Sequence, residues 1–209
     1  MIDNNVKYQS ILKNAFKIFT ENGIRNISMD DLCRQMGISK KTLYKYVENK
    51  ADLLHKINNN IHSQIMNAIA ELEKTDLNAI DILLEMSKIP GKLFNQINPI
   101  ISFEMRKYYP QVFEESTADR KVLITNSIRK NLNQGIKEEL YRQDLNKDII
   151  AHLYYSKIED FHNMDGETMK KYTFDKIFKV MFENHIRGIA NEKGIAYFEK
   201  QKEKLNFNI

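Results

Sequence analysis

Three observations predict an all-α fold for this 209-residue chain. Its apolar residues recur at spacings of three and four, and no stretch alternates with the period of two that a strand requires. Glycine and proline, the residues that most often interrupt helices, number only seven and three. Leu, Ile, Lys, Glu, Asn and Met dominate the remainder. About nine or ten helices are expected. They divide between an N-terminal three-helix domain, residues 1–54, and a helical C-terminal domain, residues 55–209.

The first helix is expected from about Val6 to Asn22, with Tyr8, Ile11, Leu12, Ala15, Phe16 and Phe19 on one apolar stripe and Lys7, Lys13 and Lys17 off it. Gly23 stops it. Ser28 offers an N-cap to a short second helix carrying Met29, Leu32, Cys33 and Met36, and Asp30 and Asp31 lie in the first turn, where the helix dipole favours acids. Gly37 closes that helix. Ser39 caps a third one two residues later, running to Tyr46 with Leu43 and Val47 turned inward. Asn49 caps a longer fourth helix whose apolar side holds Leu53, Leu54, Ile57, Ile61, Ile65, Ile69 and Leu72. Pro90, Pro99 and Pro110 are expected to break the middle of the chain into short pieces. Longer helices resume near 116–137, 146–163 and 168–189, and one more short helix precedes the final residues.

Composition narrows the class. A hydrophobic fraction of 42% is too high for a disordered chain. No apolar run reaches the roughly 18 residues of a membrane helix, and the opening MIDNNVKYQS lacks the features of a secretory signal. The single cysteine, Cys33, excludes an internal disulfide framework and a Cys-rich zinc site. A cytoplasmic protein without a membrane partner is expected. The net charge of +4 is unevenly placed: residues 1–56 hold ten Lys or Arg against six Asp or Glu, whereas residues 57–209 hold twenty-two of each. Between 39 and 50, Lys40, Lys41, Lys45 and Lys50 stand against Glu48 alone. Such a cluster suits either a face for a polyanion or an ordinary solvated helix surface.

Segment 28–54, SMDDLCRQMGISKKTLYKYVENKADLL, is the most informative part of the chain. Two short helices meet at a tight M-G-I-S turn, where Gly37 is free to adopt positive φ and Ile38 pins the corner to the core. This is the pattern of a helix-turn-helix, whose second helix enters the major groove. A groove-reading helix needs an N-terminal end that suits phosphates, an exposed face bearing donors, and a buried face that locks it in place. Residues 39–46 offer all three. Lys40 and Lys41 lie at the N-terminal end, Thr42, Tyr44, Lys45 and Tyr46 are on the rest of the surface, and Leu43 with Val47 forms the anchor.

These residues resemble the DNA-binding signature of the TetR family of bacterial transcriptional regulators. The likeness is carried by Ser28, by Gly37, Ile38 and Ser39, by Thr42, Leu43 and Tyr44, by Tyr46 and Val47, and by Lys50, Asp52 and Leu53. Cys33 and Met36 stand where the family often has Ala, Val47 where it has Phe, and Lys41 where Gly or Ala is common. The first three alter core volume and not polarity, whereas Lys41 adds positive charge beside DNA. The resemblance implies a homodimeric, effector-responsive regulator, a repressor, that binds a near-palindromic double-stranded operator. Lys40, Lys41, Lys45 and Lys50 would contact phosphates, with Tyr46 and Lys50 positioning the domain and Ser28, Met29 and Ser39 meeting the backbone. Thr42 and Tyr44 are the base-edge candidates. A small, largely apolar effector in the helical body would change the angle of the fourth helix and the spacing of the two recognition helices. An alternative is a helical dimeric module for a ligand or a protein, with a vestigial DNA-binding domain.

Two other apolar groupings stand out. Met86, Phe94, Ile101, Phe103, Met105, Tyr108 and Phe113 cluster around the prolines, as plain core or as the lining of an effector pocket. Ile150, Leu153, Tyr154, Ile158 and Phe161 on one helix, and Phe174, Ile177, Phe178, Met181, Phe182 and His185 on the next, are wide enough to serve a protomer core and a four-helix dimer interface. No catalytic residue, metal site or cofactor is expected. None of the five histidines has another at i+3 or i+4, and neither a Gly-rich phosphate loop nor a nucleophile elbow occurs. Glu104, Arg106 and Tyr108 are the only close polar group that an enzyme reading could use.

Overall fold

In the computed structural model the backbone is described for residues 2–94, 99–163 and 171–204, and the side chains for 5–88, 101–160, 171–173 and 176–202. Among the described residues there are ten helices: α1 (Ile2–Asn22), α2 (Met29–Met36), α3 (Lys40–Leu43), α4 (Lys50–Leu72), α5 (Ala79–Phe94), α6 (Pro99–Tyr108), α7 (Pro110–Lys137), α8 (Lys147–Asn163), α9 (Phe174–Ile189) and α10 (Glu192–Lys204). No strand is present among them, and the one isolated bridge joins Tyr141 to Ala190. No described helix is long and apolar enough to cross a membrane.

The chain forms two compact units, Met1–Met66 with Gln96–Arg120, and Asn67–Asn95 with Lys121–Ile209. The first unit has its own core. Ile11, Leu12, Ala15 and Phe19 of α1 meet Leu32 and Cys33 of α2, Leu43 and Val47 of the α3 segment, and Leu53, Leu54 and Ile57 of α4. The stripe expected for α1 is the face that packs, with Tyr8 and Phe16 at its margin. Met105 of α6 is buried in this same core, the plain-core alternative for that residue.

The second unit packs Ile80, Leu83 and Leu84 of α5 against Ile128 and Leu132 of α7, Ala151 and Ile158 of α8, Phe178, Phe182 and Ile186 of α9, and Phe198 of α10. Tyr141 is fully buried there and fills the space left by Gly135, where an added Cβ would come within 2.1 Å of the ring. Its hydroxyl donates to Asn131 Oδ1 at 3.0 Å, and Asn131 Nδ2 donates to the Ala79 carbonyl at 2.7 Å. The Tyr141 hydroxyl and the Asn131 amide therefore each have a partner, which offsets the cost of burying them.

Several boundaries differ from expectation. The first helix begins at Ile2, one turn before Val6. Pro90 does not break the chain: α5 continues through it to Phe94, despite the lost N–H and the crowding of the preceding turn that a proline ring brings. Pro99 and Pro110 each stand first in a helix, where the missing N–H has no intrahelical partner to lose. Helix α7 thus starts at Pro110, earlier than residue 116. The ninth helix begins at Phe174, not at 168, since Thr173 caps it by accepting the Lys176 N–H at 3.4 Å. Residues 164–170 lie outside the described ones.

Candidate nucleic-acid interface

The local sequence fixes the two ends of the motif. Ser28 Oγ accepts the Asp31 N–H at 3.1 Å while the Asp31 carboxylate accepts the Ser28 N–H at 3.0 Å, a reciprocal cap on α2. Hydrogen bonds from Ser28 hold the Asp31 carboxyl below the usual carboxylate range, with Arg34 and Lys50 adding to the effect. Gly37 then takes φ +64, and the Ile38 N–H returns to the Cys33 carbonyl at 3.0 Å. Ser39 Oγ accepts the Thr42 N–H at 3.1 Å and opens α3.

Regular α-helix spans only Lys40–Leu43, shorter than the 39–46 expected. The chain stays coiled beyond it, for Tyr46 N–H bonds the Leu43 carbonyl at 2.9 Å and Val47 N–H bonds the same oxygen at 3.2 Å. Leu43 and Val47 are buried, at 0% and 2% exposure. Lys40, Lys41, Tyr44 and Lys45 are exposed and Thr42 is half-buried, its hydroxyl 2.9 Å from Ser39 Oγ. Lys40 pairs with Asp30 at 2.7 Å, both more than half exposed. The Tyr46 ring stacks on Tyr8 at 5.9 Å, and its carbonyl accepts from Lys56 at 2.8 Å. Met29 packs partly against the core.

Lys50 departs from the phosphate role expected of it. Its ammonium is directed into the α1–α2 turn and donates to the carbonyls of Ile24 and Ile27. Burial pushes it below the ordinary lysine range, opposed by Glu104 and Asp31. A positive charge so committed holds backbone. The turn is bound from its other side by Glu104 of α6, whose Oε2 accepts the Ile24 N–H at 2.5 Å and the Arg25 N–H at 3.1 Å. Glu104 is 8% exposed. The only legible sign of this role was a lone acid inside the apolar run ISFEM. Of its expected polar neighbours, Arg106 lies over the Phe113 ring at 5.1 Å and Tyr108 under Arg25 at 5.4 Å.

The pocket candidates are divided between the two units. Met105 is in the first unit's core and Ile101 and Phe113 pack against it, while Phe103 and Tyr108 are 60% and 38% exposed. Phe94 lies outside the described side chains. Met86 alone lines a cavity of about 150 Å³ in the second unit, with Ile69 and Ile82 as apolar walls and Glu73, Ser127, Lys130, Asn131 and Gln134 as polar ones. Glu73 and Lys130 are paired there at 3.0 Å.

The dimer candidates divide. Ile158, Phe178, Met181, Phe182 and His185 are buried in the protomer, Ile150 and Tyr154 pack against its core, and Ile177 is half-buried. Leu153 is 54% exposed, as are its unpredicted neighbour Ile149 at 56% and Val180 at 42%. Phe161 and Phe174 lie outside the described side chains. Among the described residues no cluster of His, Cys, Asp or Glu could hold a metal ion.

Comparison with known proteins agrees with this geometry. Residues 11–57 match the family model described as bacterial regulatory proteins, tetR family. An uncharacterised helix-turn-helix-type transcriptional regulator, YvaF of Bacillus subtilis (strain 168), is 20% identical over 184 residues, covering 88% of this chain and 95% of that one. A helix-turn-helix-type regulator of Staphylococcus aureus (strain USA300) is 39% identical over 49 residues, 23% of this chain and 26% of that protein. Among solved structures, a TetR-family regulator from Agrobacterium tumefaciens is similar with a TM-score of 0.69 at 15% identity, covering 90% of this chain and all of that one. The ketosteroid transcriptional regulator KstR2 of Mycobacterium tuberculosis gives 0.59 at 18% identity, with 89% and 96% covered. A gamma-butyrolactone receptor gives 0.68 at 14% identity, with 97% and 98% covered.

Proposed function

We propose that this chain, whose residues 11–57 match the tetR family of bacterial regulatory proteins, is a homodimeric transcriptional repressor released from its operator by a small molecule. The observation that carries the reading is the α3 segment. Its buried Leu43 and Val47 hold Lys40, Lys41, Tyr44 and Lys45 outward on a rigid support. In the proposed complex Lys40, Lys41 and Lys45 meet phosphates, and Thr42 and Tyr44 meet base edges.

Two-fold pairing would use α8 and α9. The exposed Ile149, Leu153 and Val180 support this, because large apolar side chains left in water favour association. The cavity lined by Met86 is the effector site in this reading. Its mixed walls favour a compound with both an apolar part and hydrogen-bonding groups over the largely apolar one expected from the sequence. Similar structures named for a ketosteroid and for gamma-butyrolactone lend support to a small-molecule effector.

The test is selection of binding sites from a random DNA pool by the purified chain. Enrichment of a near-palindrome with half-sites one helical turn apart, or a multiple of it, is the expected result. Absence of any enriched motif would favour a binding module with a vestigial DNA domain.

A further inference from the structure

Residues 23–28 form the turn between α1 and α2, and two opposite charges hold it. The Glu104 carboxylate takes the N–H groups of Ile24 and Arg25 at 2.5 and 3.1 Å, and the Lys50 ammonium takes the carbonyls of Ile24 and Ile27. The carboxylate is closely applied: a Cβ added at Gly23 would lie 3.2 Å from Oε2. Ile24 and Ile27 are themselves buried. Ser28, the cap of α2, follows directly on the turn, and Lys50 is the first residue of α4. The ends of the two helices that flank α3 are therefore registered on one short piece of backbone. Helix α3, four residues long, has too few internal bonds to keep a pose of its own.

We infer that Glu104 is a positioning residue for DNA binding: one buried carboxylate on α6, outside the helix-turn-helix, sets the turn from which the reading segment takes its orientation. The inference rests on the proposed operator binding. Glu104 touches no DNA in this scheme. Its loss leaves the buried Ile24 N–H and the part-buried Arg25 N–H without this acceptor and removes one of the two acids that favour the Lys50 charge, so the turn shifts. Sequence-specific contacts depend on that orientation, whereas non-specific attraction to phosphates depends mainly on charge.

The experiment uses the full-length chain with Glu104→Ala and Glu104→Gln. Active fraction, affinity for the selected operator, affinity for random DNA of equal length, and salt dependence are measured for each. At full active fraction Glu104→Ala is expected to weaken operator binding by about 10- to 100-fold and random-DNA binding by less than about twofold, with the salt slope unchanged. For Glu104→Gln a loss of about 3- to 10-fold is expected, because the amide oxygen still accepts both N–H groups but leaves Lys50 with Asp31 alone as a favourable charge. Equal losses on operator and random DNA, or operator affinity unchanged in a folded variant, would overturn the inference. If Glu104→Ala does not fold, Glu104→Gln decides by the same criteria. If the unmodified chain selects no operator, the function reading fails separately. The amide resonances then judge the clamp: shifts in Glu104→Gln confined to residues 23–28 and 50 support it, and unmoved Ile24 and Arg25 signals overturn it.

Discussion

The Lys50 ammonium donates to the carbonyl oxygen of Ile24, twenty-six residues earlier in the chain. A lysine beside the reading segment therefore acts as an internal brace, whereas Lys41 and Lys45 stay exposed. The two kinds of lysine are distinguishable by their salt signature. With Lys40, Lys41 and Lys45 on phosphates in each of two subunits, the log–log salt slope of operator binding is expected near about −5. Lys45→Ala should reduce its magnitude by about 2. Lys50→Ala should leave the slope unchanged while lowering unfolding free energy by about 1–3 kcal/mol, the cost of leaving the Ile24 and Ile27 carbonyls without their donor. Filter binding across a salt series, with urea denaturation, checks both.

Assembly supplies a second contrast. Leu153→Glu places a charge on an exposed apolar position and is expected to yield a folded monomer in sedimentation equilibrium. Phe182→Ala removes a fully buried ring from the protomer's own core and is expected to cost about 3–5 kcal/mol of stability whatever the association state. A Leu153→Glu protein that stays dimeric would move the interface elsewhere.

Gly135 has no room for a side chain. A methyl group there meets the Tyr141 ring at 2.1 Å, and the ring is held by its bond to Asn131. Gly135→Ala is expected to destabilise the second unit by about 1–3 kcal/mol. Calorimetry should register a melting temperature lower by several degrees, roughly 2–4 °C per kcal/mol at this size.

His185 gives the fold a defined acid limit. Burial, with Lys157 contributing, pushes its pKa down to about 3, and the ring lies 4.5 Å from that of Tyr154. The folded chain keeps this histidine neutral while the unfolded chain protonates it near 6.5. Stability from this group is thus complete above pH 6.5 and is lost as pH falls toward 3, at up to about 1.4 kcal/mol per pH unit. His185→Leu should flatten the stability profile across that window. An unchanged profile would place the acid sensitivity on the carboxylates.

Much of the first unit was legible from pattern alone. The α1 stripe, the Ser28 and Ser39 caps, Gly37 and the Leu43–Val47 anchor all follow from local chemistry, which a single chain segment reports fully. Contacts between distant segments were not. Glu104 and Ile24 are eighty residues apart, and no periodicity encodes that a carboxylate in an apolar run will meet a pair of backbone amides. Core and pocket were not separable among the pocket candidates for a related reason: Ile101, Met105 and Phe113 have the composition of a ligand wall, but composition does not say which core an apolar side chain joins. For α8 and α9 the sequence offers apolar stripes, yet only burial separates residues already used by the protomer, such as Phe178 and Phe182, from those left in water, such as Leu153.

Cys33 is 6% exposed, and burial raises its thiol above the ordinary range, so thiol reagents meet a slow, shielded target. The native sulfur can therefore stay in place during labelling. A cysteine introduced at exposed Glu48, just beyond the α3 segment, becomes the fast-reacting site for a spin label or a dye. In a symmetric pair the two labels then form a ruler, and its length read with and without a candidate small molecule reports directly how far the two reading segments move.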